Sequence, residues 1–352
     1  MTQKTGVFLI NLGTPDDTSV PKVRRYLRQF LSDPRVIDIN PIARWMLLNL
    51  AILPFRPKQS AEAYREIWTD EGSPLLIFSQ NLTKAVADLL GDDYMVRLGM
   101  RYQNPSMEAA MAEFRAAGVE RIIALPLYPQ YASSSTGSCL EELYRIAGAD
   151  WNTPSLAVVP PFYDHPAFLD CQAEIARESL GDLDQYDAIL MSYHGIPERH
   201  ITKSEVGNAG HCLKSDSCCD RFVTANRYCY RAQCFHVSRE IAKRLNLSED
   251  RYYVTFQSRL GRTPWIRPYT DIVLEELPAK GVKKLGVLIP SFTADCLETL
   301  EEIEMRGLES FVEAGGESLK MVPSLNDHPK WVEAVCTMVR EQGVAATTAM
   351  TV

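Results

Sequence analysis

The chain has 352 residues, 46% hydrophobic and 23% charged, a composition that suits a globular fold of one large or two ordinary domains. Its net charge of −8 repels nucleic acid, and any anionic ligand would need a local basic patch. The opening MTQKTGVFLINLG has too short an apolar run for a signal peptide and passes straight into a strand-like segment, which predicts a cytoplasmic protein.

Short continuous apolar runs bounded by Gly, Pro or Asn predict buried parallel strands at 6–13, 121–127, 156–161, 188–195, 252–257 and 284–290. Amphipathic stretches between them predict helices at 80–90, 106–117, 167–180, 238–245 and 298–314. The chain also repeats itself in order. NLGTP (11–15) echoes YHGIP (193–197), GVERIIALPLYP (118–129) echoes GVKKLGVLIPSF (281–292), and CLEELYRI (139–146) echoes CLETLEEI (296–303). The fold class is therefore α/β, with two similar Rossmann-like, doubly wound domains. They span residues 1–162 and 163–330, with the boundary in VVPPFYDHP, and a C-terminal helix and fraying tail follow at 331–352. Ligands are expected near the carboxyl ends of the strands. No G-x-G-x-x-G follows any strand, which removes a nicotinamide enzyme.

Residues 41–56, PIARWMLLNLAILPFR, are apolar but too short and interrupted to span a bilayer. On its own the stretch reads equally as a buried helix or as something other than core. In SYHGIP, His194 ends a buried strand, and imidazole there can ligate a divalent metal or accept a proton. An isolated histidine is more often structural. Here the corresponding slot of the first half holds Leu12, so the duplicated scaffold does not itself require His. Asp295, Glu298 and Glu302 recur at spacings of three and four, which puts their carboxylates on one helical face, although Asp295 could equally be a helix cap.

Nine cysteines are present, and Cys212, Cys218, Cys219, Cys229 and Cys234 share one insertion at about 205–234. In a reducing compartment such a cluster points to a metal rather than to disulfides. There is no C-x-x-C pair, and spacing alone leaves Zn²⁺ and a two-iron two-sulfur cluster both open.

SYHGIP, TFQSRLGRTPW and PSFTADCLETLEEI, with NLGTP, YREIW, GSPL and YPQYASSSTGS, resemble the protoporphyrin ferrochelatase family over residues 6–325. The resemblance implies a lyase of haem biosynthesis that inserts Fe²⁺ into protoporphyrin IX with release of two protons. It implies His194 and Glu298 as catalytic and iron-binding residues, Asp295 and Glu302 as an acidic path, and Leu12, Arg56, Tyr64, Arg101, Tyr102 and Phe292 as porphyrin contacts. The aliphatic Leu12 resembles the protoporphyrin-type rather than the coproporphyrin-type enzymes. The 41–56 stretch resembles the family's apolar lip, with peripheral contact at a membrane. The cysteine insertion resembles bacterial relatives that hold a 2Fe-2S cluster in an internal segment; Cys212, Cys219, Cys229 and Cys234 are the expected ligands, with Cys218 as alternate. The competing readings are a chelatase for another metal or tetrapyrrole, such as sirohydrochlorin, and a non-catalytic porphyrin or iron–sulfur protein.

Overall fold

The computed structural model describes residues 4–259, 261 and 263–348. The chain divides into two compact units, one formed by residues up to 128 with 133–161 and 326 onward, the other by 129–132 with 162–325. Each is built on a four-stranded, wholly parallel sheet.

In the first unit the strands are β1 (Thr5–Gly13), β2 (Tyr94–Tyr102), β3 (Arg121–Pro126) and β4 (Ser155–Val158), in the order β2-β1-β3-β4. The second unit repeats that order with β5 (Ala188–His194), β6 (Tyr252–Gln257), β7 (Lys284–Leu288) and β8 (Ser318–Met321), as β6-β5-β7-β8. β1 and β5 are continuous buried runs because helices cover both faces of each sheet. On one face of the first sheet, Phe8 and Ile10 pack against Met107, Phe114 and Leu143; in the second unit Leu190 and Val287 pack against Ile303 and Phe311. Burying one such side chain stabilises by about 1.5–3 kcal/mol, so these faces dominate cohesion within each unit.

Two strands were not visible in the sequence. β2, YMVRLGMRY, carries two arginines in a strand whose exposure varies along its length, and β8 is four residues with every second one buried. Neither is a continuous apolar run. Helix starts also shift: the helix expected from 80 begins at Pro74, and the one expected from 238 begins at Tyr230. The C-terminal helix starts two residues before the expected 331. Pro329–Thr348 is helical, with Trp331, Val335 and Val339 fully buried, and Arg340 donates to the carbonyl of Leu89 (3.3 Å) in the first unit. The last four residues lie outside those described.

Residues 41–56 are not a buried helix. The Asn40 side chain caps a helix at Pro41–Met46, accepting from the backbone of Ile42 at 2.9 Å, and a wider helical turn follows at Leu47–Ile52. Ile42 (72%) and Phe55 (74%) are among the most exposed large apolar residues, joined by Trp45, Met46, Leu47 and Leu50. Only Leu48 and Leu53 turn inward. No helix among the described residues is long and apolar enough to cross a membrane.

Candidate active site and thiol cluster

In each unit the strand order reverses beside the central strand, between β1 and β3 and between β5 and β7, and open parallel sheets place ligands at that point. Leu12 and Gly13 end β1, and His194 with Gly195 occupies the same slot on β5. Both glycines are required by a neighbouring backbone. A Cβ on Gly13 would lie 1.9 Å from the Tyr102 carbonyl oxygen, and one on Gly195 would lie 2.8 Å from that of Gln257.

His194 is half-buried and held from several sides. Its backbone N–H donates to Ser291 Oγ at 3.2 Å, and its carbonyl accepts from the Tyr230 hydroxyl at 2.9 Å. Nδ1 lies 2.6 Å from the Gly195 carbonyl oxygen. A carbonyl can only accept, so in the neutral ring Nδ1 carries the proton and Nε2 keeps its lone pair. Trp265 and Phe292 flank the ring, with centroids 6.5 and 6.2 Å away.

The acidic row is only partly realised. Glu302 accepts from the Ser258 N–H at 2.8 Å and from the Ser258 hydroxyl. Ser258 reaches both oxygens by adopting φ of +66°, a left-handed conformation rare for a side-chain-bearing residue. Burial raises the Glu302 pKa; Ser258 and His194 pull it back, while the Glu298 charge adds to the rise. Glu302 therefore responds to both residues expected to handle metal and protons. Glu298 is fixed through its carbonyl, which accepts from Gln257 Nε2 at 2.6 Å, and Gln257 in turn accepts from Ser192 at 2.7 Å. Asp295 departs from the row. It lies two residues before the helix that opens at Leu297, is 5% exposed, and accepts from Thr299 Oγ1 and the Ser324 N–H, both at 3.1 Å, as a capping group does. The helix is also not uniform, because Leu300–Met305 is wound more widely than an α-helix.

In the first unit, Arg101 and Tyr102 converge on Asp33. Arg101 Nη2 and the Tyr102 hydroxyl each donate to Asp33 Oδ2 at 2.9 Å, Ser138 donates to the same oxygen at 2.5 Å, and Arg101 Nε also reaches Ser138. Tyr102 is 1% exposed, and burial, then the Asp33 charge, push its hydroxyl pKa upward. Tyr64 is 6% exposed in an edge-to-face series with Tyr26 and Trp68 that continues through Phe30 to Tyr102. Both tyrosines are largely buried, and Tyr102 shares the Asp33 network with Arg101. Leu12, Arg56 and Arg101 remain partly accessible.

The cysteine insertion has little regular structure and is held by polar contacts. Asn226, fully buried, donates to the carbonyls of Cys218 (2.9 Å) and Arg221 (3.0 Å). All five thiols are buried. Cys229 hydrogen-bonds both Cys212 and Cys219, and Cys218 Sγ lies 3.7 Å from Cys219 Sγ. Hydrogen bonding from Cys229, aided by Arg231 Nη1 at 3.1 Å, brings the Cys219 pKa down to about 6. Cys234 instead contacts Tyr230, and its pKa is pushed well up by burial. Soft, buried sulfurs beside a guanidinium suit an anionic metal–thiolate group, though among the described residues no His, Cys, Asp and Glu set is spaced for a metal.

Sequence reasoning missed Ser258, Gln257, Tyr230 and Ser291, whose contacts with the site come from distant segments. Trp265 was within reach, since it closes the TFQSRLGRTPW motif.

The family model for ferrochelatase matches residues 4–343. A ferrochelatase of Coxiella burnetii (strain CbuK_Q154) is 51% identical over 338 residues, covering 96% of this chain and 94% of the relative. One of Legionella pneumophila (strain Corby) is 45% identical over 339 residues, covering 96% and 99%. In fold, the chain is similar to the solved structure of SirB from Bacillus subtilis with Fe3+, at 12% identity and a TM-score of 0.54 over 98% of both chains. With a family match across nearly its whole length and relatives at 45–51% identity, this chain belongs to the ferrochelatase family.

Proposed function

We propose that the chain inserts ferrous iron into protoporphyrin IX to form haem, with His194 and Glu298 as the residues that meet iron and the departing protons. Metallation must remove two pyrrole N–H protons and strip water from Fe²⁺, so it needs a base and borderline ligands in one place. The observation that carries the reading is the state of His194: Nδ1 is committed to the Gly195 carbonyl, which leaves Nε2 to accept a proton or bind iron. Glu302, with its pKa raised by burial, is suited to take up a proton passed on from Glu298 or His194. Asp295, spent on Thr299 and Ser324, orders the start of the acidic helix.

Leu12, Arg56, Tyr64, Arg101, Tyr102 and Phe292 are proposed as porphyrin-site residues, the two tyrosines from beneath its surface, joined by Trp265 because its ring lies near His194. The exposed apolar residues at 42–55 support peripheral contact with the cytoplasmic membrane, where a lipophilic porphyrin would be exchanged. For the insertion we propose a 2Fe-2S cluster on Cys212, Cys219, Cys229 and a fourth thiol. Cys218 is favoured over Cys234, because its sulfur stands beside that of Cys219 while Cys234 is turned to Tyr230. Such a cluster would supply redox or structural stability to the segment.

The test is anaerobic incubation of the protein with Fe²⁺ and protoporphyrin IX, read by haem absorbance. His194→Ala should bind porphyrin and leave it unmetallated. Wild-type protein that binds protoporphyrin IX but metallates only sirohydrochlorin would overturn the substrate. A brown protein bleached by Cys229→Ser supports the cluster, and colourless protein with stoichiometric zinc refutes it.

A further inference from the structure

Three consecutive residues join the thiol group to the active site. The Cys229 thiol is in hydrogen-bond contact with those of Cys212 and Cys219, and the next residue opens the helix Tyr230–Leu245. Tyr230, 6% exposed, donates its hydroxyl to the His194 carbonyl at 2.9 Å, with Ser291 and Cys234 in hydrogen-bond contact. Arg231 places Nη1 3.1 Å from Cys219 Sγ and donates Nε to the Arg267 carbonyl at 3.2 Å, two residues beyond Trp265. One turn of helix thus touches the thiols, the histidine and the loop that carries the flanking tryptophan.

The contact on His194 falls on a consequential atom. The peptide linking His194 to Gly195 is gripped at both ends, its carbonyl by Tyr230 and its N–H by the Gln257 carbonyl at 2.8 Å. That grip sets where the Gly195 carbonyl points. The Gly195 carbonyl in turn holds the Nδ1 proton and leaves Nε2 free. A shift of the Cys229 backbone moves the first turn of the helix, and through the Tyr230 hydroxyl it tilts this peptide.

We propose that Tyr230 is a positioning residue that couples the thiol group of the cysteine-rich segment to the tautomer and orientation of His194, so that the state of those sulfurs tunes metallation. The inference rests on His194 being the metallating histidine. It does not require that the sulfurs hold a cluster. Any change at Cys219 or Cys229, whether metal loading or loss of a thiol, is transmitted by the same two contacts. Ligand-supporting hydrogen bonds of this kind commonly change activity by about 10–100-fold when removed.

The test uses full-length protein labelled with ¹⁵N and ¹³C in histidine, the His194 ring signals being assigned by their loss in His194→Ala. Wild type, Cys229→Ala, Tyr230→Phe and the double variant are compared at one pH. Cys229→Ala should shift the His194 ring nitrogens, and Tyr230→Phe should cut that response by more than about half. Tyr230→Phe alone should lower kcat about tenfold and leave the KM for protoporphyrin IX within about twofold. A response of equal size with and without the Tyr230 hydroxyl overturns the coupling, as does wild-type kcat in Tyr230→Phe. If Cys229→Ala does not fold, Cys219→Ala replaces it, and the kcat of Tyr230→Phe decides by itself. Iron and acid-labile sulfide per chain are measured on the same samples. Protein without them but with a Tyr230-dependent His194 shift loses the cluster and keeps the coupling, and absence of metallation in wild type sinks the functional reading instead.

Discussion

Replacing Asp33 by Ala tests whether the polar network under Arg101 holds the first unit together. Asp33 Oδ2 accepts from Arg101, Tyr102 and Ser138, and Oδ1 accepts from the Arg35 N–H at 2.7 Å. The Asp33 side chain is 4% exposed and that of Arg101 16%. Truncation leaves a largely buried guanidinium without its carboxylate and a buried tyrosine hydroxyl short of an acceptor, a class of change that costs about 3–5 kcal/mol. With a urea dependence of about 2 kcal/mol per molar for a unit of this size, the midpoint should fall by about 2 M. Tyr102→Phe removes one neutral donor and should cost about 1 kcal/mol, about 0.5 M in midpoint. Urea unfolding followed by circular dichroism measures both, and steady-state kinetics should show a raised porphyrin KM for Asp33→Ala. A midpoint loss below about 0.5 M for Asp33→Ala would refute the view that this network is structural.

Glu302→Gln follows from the sign of its shift. A carboxyl whose folded pKa is raised contributes stability that is present below the ordinary value, about 4.3, and lost as pH climbs through the raised one. The stability of the Gln variant relative to wild type should therefore grow between pH 4 and pH 8 while its kcat falls; parallel pH profiles of urea midpoint would contradict this. Replacing Ile42 and Trp45 by Glu should weaken binding to phosphatidylcholine vesicles at least 100-fold, since each apolar side chain is worth about 1.5–3 kcal/mol when buried. Activity on detergent-dispersed porphyrin should survive, and unchanged vesicle co-sedimentation would dismiss the lip. His194→Leu, which installs the residue carried by the equivalent slot of the first unit, should fold with a stability within about 1 kcal/mol of wild type and yield no haem in the absorbance assay.

What the sequence revealed of the fold was what a buried parallel strand reveals locally. β1, β3, β5 and β7 are central or near-central and nearly all apolar, so they read as strands, whereas β2 and β8 hide because each keeps polar residues on a less buried side. The helix at Tyr230 was legible only from Ser238, because its first turn buries Tyr230, Ala232, Gln233 and Cys234 together and so lacks an apolar stripe. The placing of His194 at the end of β5, and of Glu298 and Glu302 in the helical segment after β7, was legible. The groups that hold them were not: Ser258 acts on Glu302 from 44 residues away and Asp33 on Arg101 from 68 away, and no local pattern encodes such pairings. The burial of Tyr64 and Tyr102 was not legible either, since a motif locates a tyrosine on an element without saying which way its ring turns.

The repeated strand order explains why the histidine proposed as catalytic could appear at one slot without disturbing the fold. At the end of β1 and of β5 the backbone geometry is imposed by the following glycine, against which the neighbouring strand's carbonyl closes. The preceding side chain projects from a turn already fixed, so Leu12 and His194 answer the same backbone demand with different chemistry. The supporting networks differ accordingly. The first unit buries an ion pair, Asp33 with Arg101, which ties a strand end to the helix Val20–Ser32. In the second unit, neutral Ser192, Thr270 and Thr255 support Gln257, which orders the Glu298 carbonyl without adding a buried charge beside the histidine. Because that support is neutral, the charges coupled to Glu302 in this region remain those of His194, Glu298 and Arg306.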